Sequence, residues 1–262
     1  MKYTLITGAS RGIGEAMARY CATKKMNIIL VARSGERLEN LALELAEQYS
    51  VDVKSFVADL TESGKIADLY NWCKALDYEV NILINNAGVG SYGQFENLPM
   101  EEQMKLIDLN ISATVQLTYQ FMPMLKEQTK AHILNVASTA CYQAIPYMSV
   151  YAATQSFLQS FSLGIRTELK NYNIYASCLC PGPTATDFFD RAGLAGLPVN
   201  SKEVKMSPEE VAETAIEGML DNVAEIVPGT SNALGAYFSK LFPNTWVVKA
   251  ITSYFRPRTS VA

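Results

Sequence analysis

Apolar positions along the chain fall into two alternating rhythms. Tyr3–Thr7, Asn27–Ala32, Val80–Ile84, His132–Val136 and Ile174–Leu179 are short, nearly continuous apolar runs, the pattern of strands buried on both faces. Asp52–Val57 alternates as a further strand, and Glu225–Val227 makes a seventh. Between them lie stretches with helical spacing: Ile13–Thr23, Gly35–Tyr49, Ser63–Leu76, Met100–Glu127 and Ser149–Asn171. In Gly35–Tyr49 the buried stripe is carried by Leu38, Leu41 and Leu45, at three- and four-residue steps. Pro123 is expected to kink or end part of the Met100–Glu127 helix. Ser207-Pro208-Glu209-Glu210 reads as a capped helix start, with proline at the first helical position. Strand and helix in alternation predict an α/β fold, a doubly wound and mainly parallel seven-stranded sheet with helices on both faces. No repeat, low-complexity tract or linker interrupts the pattern, so residues 1–262 read as one domain.

Composition narrows the partners. A net charge of −4 leaves no basic footprint for nucleic acid. Cys21, Cys73, Cys141, Cys178 and Cys180 are odd in number and scattered, and with the lone His132 they form no metal-ligand spacing. Buried, reduced thiols in a cytoplasmic setting are the expectation. His132 has no carboxylate or nucleophile motif beside it and reads as structural; Cys178 and Cys180 lie in a strand and read as packing. The short Leu5-Ile6 run is no signal peptide, and no apolar stretch is long enough to span a bilayer.

The first strand runs into Thr7-Gly8-Ala9-Ser10-Arg11-Gly12-Ile13-Gly14 and then a helix. Glycines there permit a tight turn and a close backbone approach to a pyrophosphate seated on the helix N-terminus. Dinucleotide sites of this kind hold NAD by an acidic residue near the end of the second strand. Here that place is Ala32-Arg33-Ser34, and Arg33, with Arg11 in the glycine turn, suits a 2′-phosphate instead. NADP(H) is therefore favoured over NAD(H).

The chain resembles the short-chain dehydrogenase/reductase superfamily. The resemblance rests on motifs in order: the Thr7–Gly14 turn, Asp59-Leu60 after the third strand, Asn85-Asn86-Ala87-Gly88 after the fourth, Asn110, Ser138, Tyr151 thirteen positions on, and Pro181-Gly182 after the sixth strand. It covers roughly residues 1 to 230. Cys180-Pro181-Gly182-Pro183-Thr184-Ala185-Thr186-Asp187-Phe188-Phe189 looks like a bacterial branch related to 3-oxoacyl and hydroxysteroid reductases. The resemblance implies a Rossmann-like fold and a cofactor held by Gly8, Ser10, Arg11, Gly12, Ile13, Gly14 and Arg33. It implies that Asp59 and Leu60 bind adenine and that Asn86, Ala87 and Gly88 line the adenosine ribose. Pro181, Gly182, Thr184 and Thr186 would hold the nicotinamide. Ser138 would donate to the substrate oxygen, Tyr151 would transfer the proton, and Asn110 would support a water-mediated relay. Tyr147, one helical turn before Tyr151, is expected as a wall of the substrate pocket. Homodimers or homotetramers through the two long helices are implied as well.

The family pattern places a lysine four residues after the tyrosine, where this chain has Gln155. That lysine binds the nicotinamide ribose and lowers the tyrosine pKa. Glutamine keeps the first role through its amide but carries no charge. A unit charge about 5 Å away at an effective dielectric near 20 is worth roughly 3 kcal/mol, or about two pK units. Without it, Tyr151 should stay protonated near neutral pH, which suits proton donation to a carbonyl and not base catalysis on an alcohol. Gln155 is compatible with a native site charged by another group, with a protein that binds nucleotide without catalysis, and with an introduced inactivating change.

Phe188, Phe189, Leu194, Leu197 and Val199, set among glycines in a lid over about 186–206, suit an apolar ketone or aldehyde. The extension from about 229 to 262 is helical, apolar and basic. Peripheral contact with a membrane, a cover for the pocket and packing within an oligomer all fit it, oligomer packing being the plainest. The expected function is NADP(H)-dependent carbonyl reduction with Tyr151 as proton donor, slowed by Gln155. The alternative is a catalytically silent nucleotide-binding protein acting through its tail or oligomer surface.

Overall fold

A computed structural model describes residues 1–194, 206–241 and 244–255. Seven strands, β1 (Lys2–Thr7), β2 (Asn27–Ala32), β3 (Val53–Val57), β4 (Glu79–Asn85), β5 (Ala131–Val136), β6 (Ile174–Leu179) and β7 (Glu225–Ile226), form one parallel sheet in the order β3-β2-β1-β4-β5-β6-β7. Helices α1 (Gly12–Thr23) and α2 (Gly35–Tyr49) and the later α8 (Pro208–Leu220) cover one face. Helices α3 (Lys65–Ala75), α5 (Ala113–Lys126) and α6 (Ser149–Leu169) cover the other. Alternate strand residues serve the two layers: Ile28 and Leu30 join the first core, Ile29 and Val31 the second. This double burial is why the strands read as continuous apolar runs and not as alternating ones.

The sheet reverses its order between β1 and β4, so the loops after these strands diverge and open a crevice at their carboxyl ends. Across that crevice Thr7 and Asn86 knit the two strands together. The Thr7 hydroxyl accepts the N–H groups of Asn86 and Ala87 at 2.9 and 3.0 Å, and the Asn86 amide donates to the Thr7 carbonyl at 2.8 Å.

The region from Met100 to Lys126 adds detail to the expectation. The long helical region expected over Met100–Glu127 is present as α4 (Met100–Ile107), a π-helical turn over Asp108–Ser112, and α5, running without a break. The cause of the π-helical turn is Asn110, whose side chain leaves the helix to clamp the backbone of Val89. Pro123 lies inside α5, which continues past it to Lys126 with Leu117, Phe121, Met124 and Leu125 buried. The Ser207 cap is as expected, with its hydroxyl and the Glu210 carboxylate making reciprocal bonds to backbone N–H groups. The lid begins with a short helix α7 (Phe188–Arg191); Leu197 and Val199 lie outside the described residues. The tail forms α9 (Thr230–Leu241) and α10 (Asn244–Phe255).

Candidate active site

Gly8 and Gly12 adopt φ values of +66° and +58°, which a side chain would strain. A Cβ on Gly14 would sit 2.4 Å from both the Asn86 amide nitrogen and the Gly8 carbonyl oxygen. Such a turn admits backbone and nothing larger. Arg11 caps α1 in an extended conformation without a side-chain bond to the helix, so the first-turn N–H groups are left for an anion. A cradle of this kind fits the pyrophosphate of a dinucleotide.

Every residue expected to hold the cofactor lines one cavity, from Gly8 to Gly14 through Arg33, Asp59-Leu60, Asn86–Gly88 and on to Pro181, Gly182, Thr184 and Thr186. At its adenine end Arg33 lies 3.4 Å from Asp59, whereas Arg11, in the glycine turn, pairs at 2.5 Å with Asp187, the residue after Thr186. Burial disfavours the Asp59 carboxylate, but the Thr61 N–H and hydroxyl, at 3.0 and 2.7 Å, together with Arg33 outweigh it and hold the carboxyl below its usual range. Asp59 is thus a ready acceptor for an amino group, and both arginines stand within the same cleft.

Ser138, Tyr151, Gln155 and Asn110 line the deep end of the same cavity. The Ser138 hydroxyl accepts the Ala140 N–H at 3.1 Å, capping a single 3₁₀ turn, so its own proton remains to be donated. Tyr151, on the first turn of α6, has its pKa pushed up to about 12 by burial, with the Ser138 side chain pulling the other way. The phenol is therefore fully protonated at neutral pH, further from ionisation than a free tyrosine. Gln155, one turn along, is buried and donates from Nε2 to the Thr154 hydroxyl at 3.0 Å. Both polar ends of the Asn110 side chain are committed to Val89, and its amide also reaches Thr154 at 3.1 Å.

Beside Tyr151 the cavity is walled largely by aromatic rings. Phe188 and Phe189 line it, with the Phe188 ring 5.6 Å from that of Tyr151. Tyr147 does not line the cavity. It holds φ of +66° and sets its ring against Tyr92, 6.3 Å away, while its carbonyl accepts the Gly93 N–H. Sequence reasoning did not assign Phe255 to the site, yet it lines the cavity from the end of α10, and the Tyr92 hydroxyl anchors its carbonyl at 2.7 Å. Ile251 joins Tyr151, Phe188, Phe189 and Leu194 in the same apolar cluster. The amphipathic tail signalled a docking helix; nothing in it specified where. Behind the site, Cys180 lies 3.6 Å from Cys141 and 3.7 Å from Cys178, in a small buried cluster under the Ser138 turn.

A glycine cradle at the switch point of a parallel sheet, with a serine and a tyrosine at the far end of one cleft, defines a dinucleotide-dependent oxidoreductase scaffold. The family model for short chain dehydrogenases matches residues 2–194, and the chain belongs to that family. It is similar to the very-long-chain 3-oxoacyl-CoA reductase of Anas platyrhynchos, 34% identical over 190 residues, which are 70% of this chain and 60% of the reductase. It is also similar to the inactive hydroxysteroid dehydrogenase-like protein 1 of Homo sapiens, 31% identical over 71% of this chain and 56% of that protein. The match thus spans under two thirds of the length of these relatives. Among solved structures, a short-chain dehydrogenase from Sphingobium yanoikuyae in complex with NADPH superposes with a TM-score of 0.83 at 30% identity, covering 99% of this chain and 98% of that one.

Proposed function

We propose that this protein is an NADPH-dependent reductase of an apolar ketone or aldehyde, working in the direction of carbonyl reduction. The observation that carries this reading is the protonated Tyr151 phenol beside Ser138, in a cleft lined by Arg11 and Arg33 and by the rings of Phe188, Phe189 and Phe255. Arg11 and Arg33 would hold the 2′-phosphate, Asp59 the adenine amino group, and the open turn of α1 the pyrophosphate. A bound nicotinamide supplies the hydride. Ser138 hydrogen-bonds the substrate oxygen, and Tyr151 gives it a proton as negative charge develops there. Gln155 contributes hydrogen bonds and no charge, so the alkoxide forms with less electrostatic help than a lysine would provide and turnover is slow. The NADPH complex of the Sphingobium yanoikuyae relative supports the cofactor assignment. Five buried free thiols favour a reducing, cytoplasmic setting.

A second reading, nucleotide binding without catalysis, is favoured by Gln155 and by a relative whose name declares it inactive. Turnover separates the two. NADPH consumption is measured over a panel of apolar carbonyls for the parent, Tyr151→Phe and Gln155→Lys. Consumption by the parent that Tyr151→Phe abolishes supports reduction; consumption by Gln155→Lys alone supports the silent reading.

A further inference from the structure

The Thr154 hydroxyl has one proton and two lone pairs, and all three are used. Its proton goes to the Tyr151 carbonyl at 2.7 Å, the usual back-bond of a helical threonine. It accepts from the Asn110 amide at 3.1 Å and from the Gln155 amide at 3.0 Å. The orientation of Asn110 is not free, since its oxygen takes the Val89 N–H and its nitrogen gives to the Val89 carbonyl, each at 3.0 Å. With its proton spent on Tyr151, the Thr154 hydroxyl can face Gln155 only as an acceptor. The glutamine must therefore present Nε2 to Thr154, and its carbonyl oxygen must turn the other way. Gln155 is buried, lines the cavity beside Tyr151, and makes no other hydrogen bond among the described residues.

We propose that Thr154 is a positioning residue that locks the Gln155 amide in one orientation, so that its oxygen and remaining N–H form a neutral clamp for the two hydroxyls of the nicotinamide ribose. The proposal rests on the dinucleotide reading above and deepens it. A lysine here could only donate to those hydroxyls, whereas the locked glutamine accepts from one and donates to the other. Asn110 is part of the same lock: the π-helical turn brings it to Thr154, tying the Val89 loop after β4 to α6.

The test compares two ligands by calorimetry: NADPH, and 2′,5′-ADP, which carries the adenine and the 2′-phosphate but no nicotinamide ribose. Thr154→Val should weaken NADPH about tenfold, on the order expected for losing one oriented hydrogen bond and freeing an amide, with 2′,5′-ADP unchanged. Thr154→Ser, which keeps the hydroxyl, should restore NADPH. Gln155→Glu supplies an independent variant should Thr154→Val fold poorly. A carboxylate has no proton for Thr154 and receives none, so NADPH should weaken while Gln155→Lys, still a donor, holds it. Unchanged NADPH affinity in both Thr154→Val and Gln155→Glu, or equal loss of both ligands, overturns the clamp and leaves the nucleotide reading standing. A parent protein that binds neither ligand overturns both.

Discussion

The two ends of the cavity are built in opposite ways. At the cofactor end, side chains come from strand tips and the loops just beyond them, and the Gly8–Gly14 turn, Asn86 and Thr7 brace one another across the β1–β4 crevice. At the end expected to take substrate, Tyr151, Phe188 and Phe255 come from three separate helices and pack into one apolar cluster. The first end tolerates almost no added atom, since a Cβ at Gly14 overlaps backbone at 2.4 Å. The second is a wall of rings packed from separate helices. On the function proposed above, cofactor recognition and substrate recognition should be separable, with Tyr151 and Gln155 at the join.

Substitutions can break or sharpen that separation. The largest effect belongs to the join itself: Tyr151→Phe should lower reductive turnover by ~10²–10⁴, with NADPH affinity unchanged by calorimetry. A loss of nucleotide binding instead would mean that the two ends are not independent. Next comes Gln155→Lys, which restores a charge beside the phenol. With the Tyr151 pKa at about 12, the parent's tyrosinate base is scarce, so alcohol oxidation should climb steadily with pH while reduction stays flat through neutral pH. A lysine should pull the pKa down by about two units and raise oxidation near pH 8 by about a hundredfold. Superimposable pH profiles for the two proteins would refute the electrostatic argument.

At the cofactor end, Arg33→Ala should cut the preference for NADPH over NADH by roughly ten- to a hundredfold, the worth of a charge-assisted bond to phosphate. The readout is the ratio of Kd values, and NADH affinity should not fall. The smallest effect lies at the substrate end. Phe255→Ala should raise KM for bulky apolar carbonyls a few-fold, from the lost apolar contact, with little change for small ones and none in NADPH affinity. If small and bulky carbonyls are affected alike, α10 supports the fold and does not shape the pocket.

Much of the cofactor end was legible in the chain because its requirements are local. Gly8 and Gly12 answer a positive φ, Gly14 answers a close approach, and Arg33 follows directly on the second strand. The seven strands were legible for a similar reason, since burial on both faces writes itself as unbroken apolar runs. The π-helical turn was not, because its cause is a bond from Asn110 to Val89, twenty-one residues earlier in the chain. Tyr147 looked like a pocket wall from its helical spacing to Tyr151, yet it precedes α6, where a left-handed backbone turns its ring to Tyr92. Phe255 and Thr154 were missed for opposite reasons. One is remote in sequence from everything it touches; the other adjoins Gln155 and gives no pattern of its own.

By itself the sequence determined the layered α/β architecture, the position of the glycine turn, the candidate pair Ser138 and Tyr151, and the missing charge at Gln155. These follow from periodicity, backbone conformation and residue chemistry, all properties of short stretches. Tertiary structure alone decided which way the Gln155 amide faces, how far burial carries the Tyr151 pKa, and that α10 closes the substrate end. Each of these depends on what distant elements place around a group, because desolvation and hydrogen-bond saturation are set by neighbours in space.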